Sequence, residues 1–333
     1  MTTVKNQHFV PQFYLRQFAN SQSQVNVFDK LQQKTFRANI ADVGSARYFY
    51  DLSQEQVASF EAQIEKKKEN GELDPAIEDE VRARMTNVQW VEQKLSTWEH
   101  RFANVLNDVI MTLEKRRRFK KRFRSNIAQL VALQYWRTYE RRQGMMEFDR
   151  KLETEVMKLV NRMNEVKQTN FTAEDLGIAY DPDRTADRHK MIMLDTEILN
   201  ETANIFNSHI WVIGVNDTKV PLYTSDNPVT QRAHKTDDWR SNTGIASPGI
   251  EIFFPLSPKY VLKMFERSYF HTMESYDGRL IYLKEENIVY NNSHQVQSAY
   301  RQIYSPTSDF QLIEQMLAEE PEIAEPKTRF NVG

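Results

Sequence analysis

The amino-acid sequence predicts an α+β protein: a mixed or antiparallel sheet built from N- and C-terminal segments, with a large helical insertion at about 53–167. Three observations predict it. Short β-branched and aromatic runs bounded by polar turns occupy both ends of the chain. Between Ser53 and Lys167 glycine and proline almost vanish, apart from Gly71 to Pro75, and apolar residues recur at spacings of three and four. The opening stretch His8 to Phe18 is apolar on most of a helical circumference, as a buried helix is.

Taken in order, Pro11 forces Val10 to be extended and suits the first position of a short helix carrying Tyr14, Leu15 and Phe18 inward. Val25 to Phe28 and Lys34 to Ala38 read as a hairpin, and Tyr48 to Leu52 as a third extended piece. In the insertion, 53–70 and 76–93 are polar outer helices. The clearest inner helix carries Leu95, Trp98, Phe102, Val105, Leu106, Val109, Ile110 and Leu113, with Trp90 and Trp98 as anchors. A second runs from Ile127 to Arg142. A third has Leu152, Val156, Leu159, Val160 and Met163 on its core face, and a fourth spans about 188–207. Strands follow at Ile210 to Val215, apolar on both faces as a central strand is, and at Val220 to Thr224 across a turn. Further strands are predicted at Ile250 to Phe254, Tyr260 to Met264 and Leu280 to Leu283, then a helix over 285–302 and a strand at Ile303 to Ser305. No internal repeat is present. The chain divides into one α+β domain, 1–310, and a loosely ordered acidic, proline-containing tail, 311–333.

Composition excludes several function classes. An apolar fraction of 40 % over 333 residues, with 19 Phe, 14 Tyr and 5 Trp, is enough for a real core. A net charge of -2 gives no global preference for polyanions, so any such preference is local. With no cysteine, disulfides, thiolate metal sites and cysteine nucleophiles are out, leaving His and carboxylates as ligands for an ion such as Mg²⁺. No segment has signal-peptide or membrane-span character, so the expectation is a cytoplasmic protein with no membrane partner. Glycine-rich phosphate loops, His-Glu-x-x-His and Gly-x-Ser-x-Gly are absent.

The candidate chemistry sits in five residues. His8 enters the core on the opening segment; an imidazole titrates near neutrality and suits acid–base work, although a buried histidine is commonly just a hydrogen-bonding residue. Arg16, on the same buried helix, needs a carboxylate partner. Asp226, in Tyr223-Thr224-Ser225-Asp226-Asn227-Pro228 at a strand end, is that partner or a turn-maker. Gln134 lies within the apolar stripe of the second helix, with Arg137 and Arg141 one and two turns further on.

These residues carry a resemblance. His8-x-x-Pro11-x-Phe13-Tyr14-Leu15-Arg16-x-Phe18, Gln134-x-x-Arg137, Thr224-Ser225-Asp226-Asn227-Pro228-Val229 and Phe254-Pro255-Leu256-Ser257-Pro258 occur in that order. Together they resemble the mostly bacterial family called domain of unknown function 4238, over His8 to about Ser305. The departure is Tyr139, where that family's pattern leads one to expect proline. The resemblance implies no activity, but it implies an association with mobile and phage-defence loci, and its polar signature falls on His8, Arg16, Gln134, Arg137 and Asp226.

A second candidate is the run Lys115 to Arg124, eight cations in ten residues. Arg116, Arg117, Arg118, Lys120, Lys121, Arg122 and Arg124 could neutralise several phosphates of RNA or DNA, or merely solvate a helix end. Arg184-x4-His189 has the spacing of some helical ribonucleases, as chance also provides. The expectation is an effector-type protein, a nuclease or nucleotide-processing enzyme with a His8/Asp226/Arg centre. The alternative is a nucleic-acid-binding or protein-interaction module, with its partner on the helical insertion and a polar cluster that is structural.

Overall fold

A computed structural model describes residues 3–115, 119–235 and 242–328. The opening segment forms β1 (Asn6–His8) and the single-turn α1 (Gln12–Leu15), followed by β2 (Gln24–Asp29), β3 (Lys34–Asn39) and β4 (Ser45–Arg47). The insertion contributes α2 (Gln54–Glu69), α3 (Glu78–Met85), α4 (Trp90–Glu114), α5 (Lys121–Trp136) and α6 (Tyr139–Lys167). Two further helices follow, α7 (Pro182–Leu194) and α8 (Thr196–Ser208). The rest is β5 (Ile210–Asn216), β6 (Thr224–Ser225), β7 (Thr230–Ala233), β8 (Ile250–Ser257), β9 (Tyr260–Phe265), β10 (Arg279–Leu283), α9 (Glu285–Ser298), β11 (Gln302–Ser305) and α10 (Gln311–Glu319).

The chain is α+β, as its periodicity predicts. The two ends of the chain meet in an antiparallel sheet ordered β3-β2-β11-β6. A larger sheet, β10-β5-β9-β8-β7, comes from the C-terminal half and is antiparallel except for the β5–β10 pair. Alternation puts Trp211, Ile213, Ile252, Phe254, Leu262 and Met264 on one face, in one core with Leu106, Val109, Ile127 and Val131 of α4 and α5. The opposite face carries Arg232, Glu251, Phe253 and Lys263, under α9. The predicted plug is real: Val10, Tyr14, Leu15 and Phe18 are fully buried. It is seated through Gly44, whose carbonyl accepts from Phe9 N and Val10 N at 2.9 Å. Gly44 has φ +61, and a Cβ there would lie 2.9 Å from Val10 Cβ, so glycine is needed on both counts.

Several elements differ from expectation. The predicted 127–142 helix breaks in two: α5 stops at Trp136, and Thr138 caps α6 by accepting from Arg141 N at 3.2 Å. Tyr139 is therefore the first helical residue of α6, where proline is favoured, which explains the family's expected proline. The 188–207 helix likewise divides at Asp195, whose carboxylate caps α8. Residues 220–223 form no strand, and the extended piece at 48–52 is shifted back to β4. The stripe assigned to the core on the third helix is on the surface: Leu152, Leu159 and Met163 are exposed. Residues 311–319 are not loose, because α10 buries Ile313 and Leu317 against Phe28, Tyr223 and Phe310.

Candidate functional site

Three sequence motifs converge at one hydroxyl. Tyr14 Oη donates to Pro255 O at 2.7 Å and lies 2.7 Å from Thr224 Oγ1, which must then be the donor to it. Phe254 stacks on the Tyr14 ring at 5.1 Å. The opening helix, the Thr224–Pro228 stretch and the Phe254–Pro258 strand are thus one packing unit.

The five signature residues do not form one centre. His8 is buried, and its Nε2 lies 3.2 Å from Ile40 O, so it donates to a backbone carbonyl. Desolvation holds the imidazole below its ordinary pKa, in the neutral form. Gln134 Nε2 donates to Phe9 O at 3.0 Å. Arg137, 1 % exposed, donates to His8 O and, at 2.7 Å, to Glu99. These two side chains of α5 and its C-cap therefore hold the β1 exit by its carbonyls. Such bonds satisfy backbone groups that would otherwise be buried unpaired.

Asp226 serves a different join. Its Oδ1 accepts from Tyr300 N at 2.8 Å, and its Oδ2 from Arg301 N and Gln302 N at 2.7 and 2.8 Å, which clamps the turn from α9 into β11. Burial pushes its carboxyl up to about 6, against the pull of those N–H groups and of Lys30. Lys30 is itself buried, donates to Val296 O at 3.1 Å and to Ala299 O, and is drawn down to about 8 by desolvation. The expected convergence of His8 on Asp226 is not found: no hydrogen bond or ion pair joins them, and the charges acting on the His8 ring come from Glu99 and Arg137. Arg16 is exposed at the C-cap of α1, where the one-turn helix ends, and no ion pair joins it to Asp226. Backbone carbonyls bind His8, Gln134 and Arg137, and backbone N–H groups bind Asp226, so these polar residues are held by main chain rather than by one another.

The cationic run fares unevenly. Arg116, Arg117 and Arg118 lie outside the described residues. Arg124 is committed: it donates to Asp277 at 2.8 Å, to Asn207 and to His209 O, and packs 4.7 Å over the Trp211 ring. Lys121 and Arg122 are exposed, and Lys120, half-buried, lines a cleft of about 180 Å³ with Lys115, Arg122, Thr112 and Asp108. His189 is fully buried between Trp136 O, 2.8 Å from Nε2, and Arg142 Nε, which leaves the Arg184-x4-His189 pair no exposed imidazole.

The structure assembles a centre that the sequence did not reveal. On the α9-facing side of the larger sheet, Glu251 of β8 is 3 % exposed and collects three donors. His234 Nε2 is 2.7 Å and Tyr290 Oη 3.0 Å from Oε2, and Lys263 Nζ is 2.8 Å from Oε1. Burial works to raise the Glu251 carboxyl, but Lys263, His234 and Tyr290 outweigh it and hold it below its ordinary range. An ionised carboxylate only accepts, so His234 Nε2 carries the proton and Nδ1 is the basic nitrogen. Nδ1 has no hydrogen-bond partner among the described residues, and the side chain is 30 % exposed. Arg232, opposite Glu251 in the β7–β8 ladder, is exposed and lies 5.1 Å over the Tyr290 ring. His294 stacks on Phe253 at 4.9 Å and is pushed down to about 4 by desolvation, so it stays neutral. The one available signal was charge on alternate strand residues, Arg232, Glu251 and Lys263, where a buried face would be apolar. Among the described residues no group of three or more His, Asp or Glu is placed to hold a metal ion. No helix among them is long and apolar enough to cross a membrane.

The fold and its motif-joining core define an α+β protein with an inserted helical block. Within that class the family model described as a protein of unknown function, DUF4238, matches residues 6–309, and the chain belongs to that family. No curated protein and no solved structure matches the chain.

Proposed function

We propose that the protein is an effector-type enzyme acting on a phosphate-bearing substrate, a nucleotide or nucleic acid, with His234 and Glu251 rather than His8 and Asp226 as its proton-transfer pair. The observation that carries this reading is the 2.7 Å bond from His234 Nε2 to a buried, ionised Glu251, with the basic Nδ1 unpartnered among the described residues. A carboxylate behind an imidazole fixes its tautomer and stabilises the imidazolium formed when the ring takes a proton. Arg232, Lys263 and protonated His234 would outnumber the single carboxylate, which suits an anion.

The test is incubation with nucleotides, RNA and DNA, with and without Mg²⁺. His234→Gln and Glu251→Gln are expected to lower turnover by about 10²-fold or more. His8→Ala should keep its turnover per folded molecule while melting at a lower temperature. Full turnover in His234→Gln would remove this reading.

A second reading has one observation of its own: Lys115, Lys120 and Arg122 line a cleft. Sequence-tolerant nucleic-acid binding there predicts an affinity that falls steeply with salt and weakens in Lys120→Ser/Arg122→Ser.

A further inference from the structure

The outer two-thirds of α6 carries an apolar line that the described residues leave largely exposed. Leu152, Val156, Leu159, Met163 and Val166 follow one another at spacings of four, three, four and three, the repeat of a coiled-coil seam. Leu152, Leu159, Met163 and Val166 are 48, 60, 50 and 84 % exposed. The neighbouring face of the helix is occupied: Glu153 accepts from Tyr180 N at 3.2 Å, and Asn164 holds Thr169 and Phe171. Val156 is half-buried and Leu152 edges a cleft with Ile178 and Tyr180, and from Leu159 to Val166 the line faces outward.

We propose that this seam is the interface between two copies of the chain, packed antiparallel about a two-fold axis near Leu159. The flanking charges choose both occupant and direction. Glu155 and Arg162 lie on the same side of the seam, seven residues apart, and both are exposed. Antiparallel pairing of identical helices sets each flank against the same flank of its partner. Glu155 then meets Arg162 of the other copy, twice. A parallel, in-register pair would set Arg162 beside the other copy's Lys167, a like-charge contact, and Glu155 beside Val160. The competing bond from Lys158 to Glu155 is intrahelical and between side chains 60 and 67 % exposed, so it is weakly held.

Sedimentation velocity of the full chain tests this. The protein should be a dimer at micromolar concentration, and Leu159→Lys should be a monomer with unchanged circular dichroism and melting. Glu155→Arg and Arg162→Glu should each weaken dimerisation by about tenfold, and the double exchange should restore it. Because the chain has no cysteine, Leu159→Cys should give a clean disulfide-linked dimer, whereas Leu152→Cys, which antiparallel pairing keeps apart from its copy, should not. A monomeric parent, a Leu159→Lys dimer, a double exchange that fails to restore association, or efficient self-linking through Leu152→Cys would each overturn the proposal.

Discussion

Two polar centres in this molecule use similar residue types for opposite ends. Around His8, Gln134 and Arg137 the side-chain donors are aimed at backbone carbonyls: Ile40 O, Phe9 O and His8 O. Around Glu251 the donors of His234, Lys263 and Tyr290 are aimed at one carboxylate, and the His234 side chain is 30 % exposed. The first arrangement fastens chain segments far apart in sequence. The second stores charge next to water. A buried histidine or arginine therefore says little about chemistry until the partner of each nitrogen is known.

The contrast can be broken by stability measurements. The largest effect should come from Arg137→Leu, which leaves Glu99 and the carbonyl of His8 without their partner. A loss of about 3–5 kcal/mol in urea unfolding is expected. Asp226→Ala comes next, at about 3 kcal/mol, because three buried N–H groups at residues 300–302 lose their acceptor. Gln134→Leu, which strands the carbonyl of Phe9, should cost about 1–3 kcal/mol. Gly44→Ala should cost a similar amount through its left-handed φ and the Val10 contact. His234→Gln and Arg16→Ala should stay within about 0.5 kcal/mol. If His234→Gln were as damaging as Arg137→Leu, the distinction between a fastening and a working centre would collapse.

Titration extends the comparison to the other fastening point, Asp226 and Lys30 at the turn from α9 into β11. Asp226 protonates at about 6 in the folded chain and at about 3.9 when unfolded. Between those values the folded state binds the extra proton, so this group makes stability fall as pH rises from about 4 to about 6. Lys30 is the mirror case, at about 8 folded against about 10.4 unfolded. There the unfolded state binds the extra proton, and stability rises as pH climbs from about 8 to about 10.4. Asp226→Asn should flatten the first slope and Lys30→Met the second, as read from urea midpoints across pH.

Much of the architecture was legible because apolar periodicity reports burial locally. The inner helix through Leu95, Phe102, Leu106, Val109 and Leu113 and the two-faced strand through Trp211 to Val215 are examples. The site was less legible. Asp226 reads as a turn-maker or as a catalyst, and the N–H groups of Tyr300, Arg301 and Gln302 that it binds lie more than 70 residues away, where local sequence gives no sign of them. The wrongly joined helix at Arg137-Thr138 has a local cause: Tyr139 replaces the proline that would have marked the start of α6.

By itself the sequence determined the main helical and strand-rich blocks, that the opening stretch is a core element, and which family the motifs point towards, because each depends on spacing along the chain. Tertiary structure alone decided that His8 and Asp226 serve different joins, that Glu251 gathers His234, Lys263 and Tyr290, and that the α6 stripe faces outward. Those outcomes depend on which groups residues on other segments present across the gap, and the order of residues in a chain does not encode the partner of a hydrogen bond.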